Sequence, residues 1–430
     1  MKDEFKLMNL KGTSDFFPEE QIIRNKIISI LKNTFELYGF LPVETPILCY
    51  YDLLASKYAG GAEILKEVYK LTDQGKRQIA LRYDLTVPFS KLIGMNKGLI
   101  LPFKRYEIGK VFRDGPVKLG RAREFYQCDA DACGTQSPYA EIEYFMMMRD
   151  VFEKLNIKVE IRYNNRKFLS GILKHSNVKE ENINDFIISV DKLDKISRKD
   201  IESDLLKHTS LEIIENVFKY FDKSLEELNM EFKNNLNEDL EEGLKELNEL
   251  NDLINSLNLN EICVFTPFLA RGLDIYTGTV WEVFDSSLNF KSALGGGGRY
   301  DKIITNFLND GSVYPAIGCS FGLEPIYELL KEKEKEQIKK YDVYIYSFNN
   351  DYNLFKISDI LRKNGFKVLC ELNNIKLKKA MNIANRENID KVIIIGEEEI
   401  RDEAVMIKNM ITGNQEKVLI NEIVNKINSI

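Results

Sequence analysis

The first hydrophobic periodicity in the chain has a helical step. Pro18, Glu19 and Glu20 form a helix-start signal, and Ile23, Ile27, Ile30, Leu31 and Phe35 follow at helical spacing until Gly39 ends the run. From there to about residue 135 the pattern shortens to β-like runs, among them residues 78–85 and 102–112, broken by polar turns. Residues 137–155 predict a helix ending near Asn156. Residues 165–260 differ in character. They are rich in Lys, Asn, Glu and Leu, with leucines at 236, 240, 244, 247, 250 and 257, an amphipathic helical pattern with solvated charged faces.

β-like texture resumes at 262–284 and continues through a glycine run to about Gly322. A helix starting at Pro325 leads into residues 331–340, whose near-continuous charge marks a solvated helix end and linker. Beyond it the elements alternate: strand 343–346, helix 350–364, strand 366–372, helix 376–387, strand 391–395. That order predicts a separate small α/β domain with a mostly parallel sheet.

Composition narrows the class. A chain of 430 residues is too long for one ordinary core and implies two or three domains. Its 44% hydrophobic and 11% aromatic content supports packed globules. No apolar stretch approaches the roughly 18 residues of a membrane span, and the opening Met-Lys-Asp-Glu-Phe-Lys has the features of neither a signal nor a transit peptide. Six cysteines without a CxxC pair predict a reduced, cytoplasmic chain. The two histidines, His175 and His208, both fall in 165–260, so a zinc site, a Ser-His-Asp triad and a Cys-His dyad are disfavoured, and no metal held by protein ligands is expected. A net charge of −7 argues against a non-specific nucleic-acid coat while leaving room for a local basic groove.

Such a groove has a candidate. Across residues 101–125, Lys104, Arg105, Lys110, Arg113, Lys118, Arg121 and Arg123 face only Glu107, Asp114 and Glu124. Strand alternation then sets Arg123, Phe125, Gln127, Asp129 and Asp131 on one face. That face is either the wall of a wet cavity for a ligand with anionic, aromatic and cationic parts, or a solvated sheet surface with ion pairs. Arg82, Asp84 and Thr86 share a face by the same period, and a carboxylate beside a hydroxyl suits a substrate ammonium or a turn cap. Arg271 and Tyr276 stand an odd number of residues apart, so they meet only through a bulge or turn near Gly272. Gly295 to Gly298 fit neither GxGxxG nor GxxxxGK[ST], which leaves close backbone approach to a ligand or strand as their reading.

Taken in order, these motifs resemble the histidyl-tRNA synthetases, which are class II aminoacyl-tRNA synthetases, over nearly the whole chain. Lys11-Gly12-Thr13-Ser14-Asp15 is similar to the family's N-terminal signature and Thr45-Pro46-Ile47 to the end of motif 1, the dimer-interface element. Val111-Phe112-Arg113 through Arg123-Glu124-Phe125 resembles motif 2. Arg271-Gly272-Leu273-Asp274 and residues 294–300 resemble the two histidine-specific motifs, and residues 318–324 resemble motif 3. The resemblance implies an α+β fold: a class II antiparallel sheet flanked by helices in residues 1–164 and 261–330, a helical insertion at 165–260, a linker at 331–340, and an anticodon-binding α/β domain at 341–430.

The same resemblance implies a ligase that activates L-histidine with ATP, accompanied by Mg²⁺, and transfers it to the 3′ end of tRNA(His), working as a homodimer without a membrane. Arg113 and Arg271 would contact the α-phosphate and act in catalysis, with Phe125 and Glu324 also on ATP. Asp84, Thr86 and Gln127 would hold the amino and carboxylate ends of histidine, and Asp131, Tyr276 and Tyr300 would line the imidazole pocket. Lys118, Arg121 and Arg123 would meet the tRNA acceptor end, and Lys376, Lys378 and Lys379 its anticodon side. The chain departs from the family at Pro325, where motif 3 usually has arginine, at Gly115, where motif 2 commonly has an acid, and at Ile275, where a tyrosine is common. These departures keep one alternative open, a non-catalytic histidine-binding relative serving as regulatory subunit of ATP phosphoribosyltransferase.

Overall fold

Two of the strongest β-like runs pair with each other. Phe103–Phe112 and Glu124–Cys133 are antiparallel neighbours, with Arg105 opposite Asp131 and Glu107 opposite Asp129. The structure is a computed structural model that describes residues 7–429 apart from 56–64, 118–121, 194–195, 234–235, 272–274, 288–289, 291, 336–337 and 350–351. The chain divides into two units, residues 1–15 with 23–330, and residues 16–22 with 331–430.

The first unit is built on an eight-stranded sheet ordered Leu41–Pro42, Phe103–Phe112, Glu124–Cys133, Ala316–Gly322, Gly295–Arg299, Thr279–Asp285, Val159–Asn165 and Cys263–Phe265. All its pairings are antiparallel except the outermost on each side, which are parallel. Alternation decides what each face meets. Phe321 points to the helical side, where Phe35 of the helix Pro18–Leu37 and Phe152 of the helix Tyr139–Lys154 reach it at ring distances of 5.6 and 5.8 Å. Trp281 meets Phe145 edge-on at 5.4 Å on the same side. Truncating such a buried ring to alanine costs about 3–5 kcal/mol. The opposite face carries the polar residues described below.

One helix departs from the β-like reading of residues 39–135. The strand Gln78–Leu81 ends before Arg82, and a helix runs from Thr86 to Met95. Arg82, Asp84 and Thr86 therefore do not share a strand face. Pro88 lies in the first turn, where a missing N–H costs nothing, and the Asp84 carboxylate accepts the Val87 N–H at 3.1 Å to cap it.

The described part of residues 166–256 is mostly helical. Helices Arg166–His175, Ile183–Val190, Arg198–Leu205, Leu211–Phe218, Leu225–Glu231 and Glu238–Ser256 follow in turn. Ser197, Ser210, Ser224 and Asn237 cap four of them by accepting a backbone N–H three residues on. Of the leucines at helical spacing, 240, 244, 247 and 250 are buried, whereas Leu236 and Leu257 stay exposed. The first and last helices touch backbone to backbone. A Cβ on Gly171 would lie 2.6 Å from Leu240 N, and one on Gly243 would lie 2.6 Å from Phe168 Cα.

In the second unit a five-stranded sheet is ordered Val368–Cys370, Val343–Ser347, Lys391–Ile395, Ala404–Asn409 and Gln415–Leu419. The first three strands are parallel, with helices Tyr352–Lys363 and Leu377–Arg386 between them in the chain. The last two strands are antiparallel additions that the sequence pattern did not reveal. Among the described residues no helix is long and apolar enough to cross a membrane.

Candidate active site

Sheet register assembles the site in rows. Arg105, Asp131, Gly318, Gly298 and Val280 lie opposite one another across five strands, and Glu107, Asp129, Ser320, Gly296 and Glu282 form the next row. Directly opposed residues share a face, so both rows present the same surface. Three glycines and a serine in the middle of these rows leave a shallow lane. Charged side chains stand on both sides of it.

The glycines are required by what lies over them. A Cβ on Gly296 would come within 2.8 Å of the Arg271 guanidinium, and one on Gly298 within 2.6 Å of the Tyr276 ring. A Cβ on Gly318 would collide with Asp131 Oδ1. The four-glycine run is thus an interior strand whose missing side chains let Arg271 and Tyr276 lie down on the sheet. Arg271 and Tyr276 do meet, the guanidinium carbon standing 5.2 Å from the ring centroid. They belong to a non-strand segment between Phe265 and Thr279; residues 272–274 within it lie outside the described residues.

On the other side of the lane, charge is buried in layers. Arg82 donates to Glu107 at 2.7 Å and to the Thr45 carbonyl at 2.7 Å, which ties the Thr45-Pro46-Ile47 segment to the sheet. Arg105 lies beneath Asp131, Nη2 to Oδ2 2.8 Å, and stacks on Phe89 at 4.6 Å. Tyr300 donates its hydroxyl to Asp131 Oδ1 at 2.5 Å and packs in one apolar cluster with Tyr276. Sequence reasoning placed Arg105 in a basic stretch without seeing this role, because only strand pairing brings it to Asp131. Burial pushes the Asp131 carboxyl up, against the pull of Arg105 and the Tyr300 hydrogen bond. At Asp129, burial and the neighbouring Asp131 charge push the carboxyl up to about 8, against the pull of Arg105 and the Ser320 hydrogen bond.

Among the described residues, several buried polar atoms facing this surface have no hydrogen-bond partner: Gln127 Oε1, Asp129 Oδ1 and Arg271 Nη1. Orphaned groups of this kind cost about 1–3 kcal/mol each unless a ligand or water satisfies them. Arg113 spends Nε on the Tyr83 carbonyl at 3.1 Å, and its guanidinium lies 5.2 Å from the Phe125 ring. Glu324 is engaged by Arg24 at 2.9 Å and by the Tyr126 N–H at 3.4 Å. Pro325 is the third residue of the helix Leu323–Lys335 and packs against Gly322, so it closes the first turn and carries no charge. At Gly115 the space of a side chain is taken by Glu67, whose Oε1 would stand 2.7 Å from a Cβ there. A carboxylate is therefore present at that point from elsewhere in the chain.

Of the residues assigned to tRNA, Lys118 and Arg121 lie outside the described residues. Arg123 pairs with Asp114 at 3.2 Å, and its N–H donates to the Gly12 carbonyl, joining the Lys11–Asp15 signature to the motif 2 strand. Lys376, Lys378 and Lys379 are exposed at the start of the helix Leu377–Arg386. Among the described residues no group of three or more His, Cys, Asp or Glu side chains is placed to hold a metal ion.

Comparison with known proteins gives a consistent result. The family model for histidyl-tRNA synthetase matches residues 12–326, and that for an anticodon binding domain matches residues 342–430. A relative from Bacillus thuringiensis subsp. konkukian, histidine–tRNA ligase 1, is 46% identical over 97% of this chain and 99% of its own. The crystal structure of histidyl-tRNA synthetase from Nostoc sp. PCC 7120 shares the fold at a TM-score of 0.85 with 24% identity, covering 99% of this chain and all of that one. A Bacillus halodurans structure described as an ATP phosphoribosyltransferase regulatory subunit/histidyl-tRNA synthetase shares the fold at 0.77 with 19% identity, covering 92% of this chain and all of that one.

Proposed function

The chain belongs to the histidyl-tRNA synthetase family, and from that premise we propose how its own residues carry the reaction. It is an aminoacyl-tRNA ligase: ATP and histidine give histidyl-adenylate and pyrophosphate, and the histidyl group then passes to the 3′ end of tRNA(His). The regulatory-subunit alternative is less supported, because relatives named as ligases match almost end to end.

The histidine carboxylate attacks the α-phosphorus, a new O–P bond forms, and the bond to the β-phosphate oxygen breaks. No protein nucleophile takes part, so the residues work by positioning and by stabilising phosphate charge. Arg113 and Arg271 flank the α-phosphate as guanidinium forks. Phe125 lies against adenine, and Glu324 orders the ATP side through its link to Arg24. Asp84, Thr86 and Gln127 hold the amino-acid end, and Asp131, Tyr276 and Tyr300 form the imidazole pocket. The observation that carries this assignment is the glycine lane, with Arg271 on one side and unpaired acceptors on the other.

Mg²⁺ would arrive with ATP, held by its phosphates, and would supply neutralisation of phosphate charge. Residues 1–164 and 261–330 serve as the catalytic domain, 165–260 as a helical insertion, 331–340 as linker and 341–430 as the anticodon-binding domain. Arg123 with Lys118 and Arg121 serves the acceptor end, and Lys376, Lys378 and Lys379 the anticodon side. The working form is a cytoplasmic homodimer. Exposed Ile47, Leu48, Tyr50 and Leu71 around the motif 1 segment support the dimer, and six free cysteines support a reducing compartment. Histidine-dependent ATP–pyrophosphate exchange tests the whole reading. Exchange with histidine and with no other amino acid is the expected result; histidine binding without exchange would return the regulatory alternative.

A further inference from the structure

The row of opposed residues that crosses the site has a sixth member. Arg105, Asp131, Gly318, Gly298 and Val280 are followed on the next strand by Asn164, directly opposite Val280. Asn164 therefore turns its side chain to the same face as the glycine lane. It is fully buried, and its amide nitrogen donates to the Pro267 carbonyl at 2.8 Å and to the Leu269 carbonyl at 2.9 Å. Carbonyl oxygens only accept, so these two partners fix which way round the amide stands.

Those carbonyls belong to the segment that carries Arg271. The segment leaves the edge strand Cys263–Phe265, yet the Arg271 guanidinium lies over Gly296, three strands further in. Strands spaced at about 4.8 Å make that a traverse of about 14 Å, and residues 266–270 belong to no helix or strand. A turn closed by the Leu269 N–H on the Thr266 carbonyl at 2.9 Å begins it. Asn164 pins that turn to the first strand it must cross, two residues before Arg271. The far end of the segment has its own anchor: Thr277 donates its N–H to the Arg299 carbonyl at 2.8 Å and its hydroxyl to Asp301 at 3.2 Å. Arg271 thus depends on the first anchor and Tyr276 on the second.

We propose that Asn164 is a positioning residue for the adenylation step: by holding the Pro267 and Leu269 carbonyls it sets the Arg271 guanidinium over the glycine lane, without itself touching histidine or ATP. This inference rests on the reading of Arg271 as a phosphate arginine and deepens it. Charge develops on the phosphate at one place, and a guanidinium displaced by about 1 Å can lose about 100-fold in rate.

The test uses Asn164→Ala and the milder Asn164→Ser, which keeps one donor, in the full chain. Hydrogen exchange read by mass spectrometry should show the amides of residues 266–271 exchanging about tenfold faster in Asn164→Ala, with Phe103–Phe112 and Glu124–Cys133 unchanged. Unchanged exchange in residues 266–271 would show that the Phe221 ring, which meets Phe268 at 6.1 Å, holds the segment by itself, and would overturn the proposal. In pyrophosphate exchange kcat should fall by about 10- to 100-fold, while the Kd for histidine by calorimetry should move by no more than about threefold. Asn164→Ser should lie between wild type and Asn164→Ala. A loss of histidine binding equal to the loss in kcat would mark general damage to the site and overturn the proposal, as would an unchanged kcat. In an Arg271→Ala background, adding Asn164→Ala should cost no more than about a further threefold, because the group being positioned is gone. Losses that multiply are the signature of independent sites and would overturn it. Failure of both variants to melt cooperatively would make Asn164 a residue of the fold alone, with the same consequence. A wild type without histidine-dependent exchange would count against the ligase reading, and hydrogen exchange would still decide whether Asn164 holds the segment.

Discussion

Gly318 lies directly opposite Asp131 in the central strand pair, and a Cβ at Gly318 would fall on Asp131 Oδ1. That oxygen is the one that accepts the Tyr300 hydroxyl. A single hydrogen atom in place of a side chain therefore lets the carboxylate lie flat along the sheet between Arg105 and Tyr300.

Gly318→Ala should damage the site more than the fold. The added methyl group has no room to move into, because Asp131 is fixed by Arg105 below it. Overpacking of this kind costs about 1–3 kcal/mol, and histidine binding should weaken by about 5- to 150-fold. Calorimetry with histidine checks it, and a thermal melt should show that the variant still folds cooperatively.

Arg271→Lys keeps a positive charge and removes the fork. Its guanidinium lies over Gly296 with a buried, unpaired nitrogen, and a lysine ammonium cannot bridge two phosphate oxygens in that geometry. Loss of about 1.5–3 kcal/mol of charge-assisted bonding predicts pyrophosphate exchange slower by roughly 10- to 150-fold. The Kd for histidine alone should change little. A variant that loses histidine binding in proportion would place Arg271 on the amino acid instead of the phosphate.

Much of this was legible in the sequence, and the reasons for the rest are local. Alternation in Phe103–Phe112 and Glu124–Cys133 is strong enough by itself to place Gln127, Asp129 and Asp131 on one face. The helix Thr86–Met95 was hidden by a β-like run ending at Leu85 and by a proline that interrupts only the first turn. The strand Gln415–Leu419 has a single buried residue, so it shows no alternation to read. The Arg105–Asp131 pair, and Glu67 beside Gly115, join positions far apart in the chain; register and loop closure create them, and no pattern within one segment encodes them.

Arg105→Leu should be among the costly substitutions in the first unit. Removing one partner of a buried ion pair strands the other, at about 3–5 kcal/mol, and among the described residues Asp131 then keeps the Tyr300 hydroxyl alone. Urea denaturation should show that loss. Adding Asp131→Asn should recover part of it, since the uncompensated charge is then gone.

Stability without ligand should depend on pH through Asp129. Its carboxyl is pushed from an ordinary 3.8 up to about 8 in the folded chain, chiefly by burial and then by Asp131. The folded state therefore holds this proton more tightly than the unfolded state. The stabilisation is complete below 3.8 and is gone once pH has risen through about 8. Melting temperature should fall from pH 6 to pH 8.5 more steeply in wild type than in Asp129→Asn. Parallel curves would mean that Asp129 does not titrate in this range.

Leu48→Asp with Tyr50→Asp tests the proposed dimer. Both side chains are more than half exposed in the single chain, so the changes should leave the monomer folded. Sedimentation at micromolar concentration should show a dimer for wild type and a monomer for the double variant. A monomeric wild type would overturn the assembly.

The contact between Gly171 and the backbone at Leu240, answered by Gly243 at Phe168, has a consequence for rebuilding the chain. The helices that leave the large sheet and return to it are clasped side by side, and a side chain at either glycine would force them apart. The stretch between them is also tied back to the site, because the Phe221 ring reaches Phe268 and the Asp191 charge acts on Arg271. An engineer who splices a foreign module there must therefore keep both glycines and replace those two ties as well.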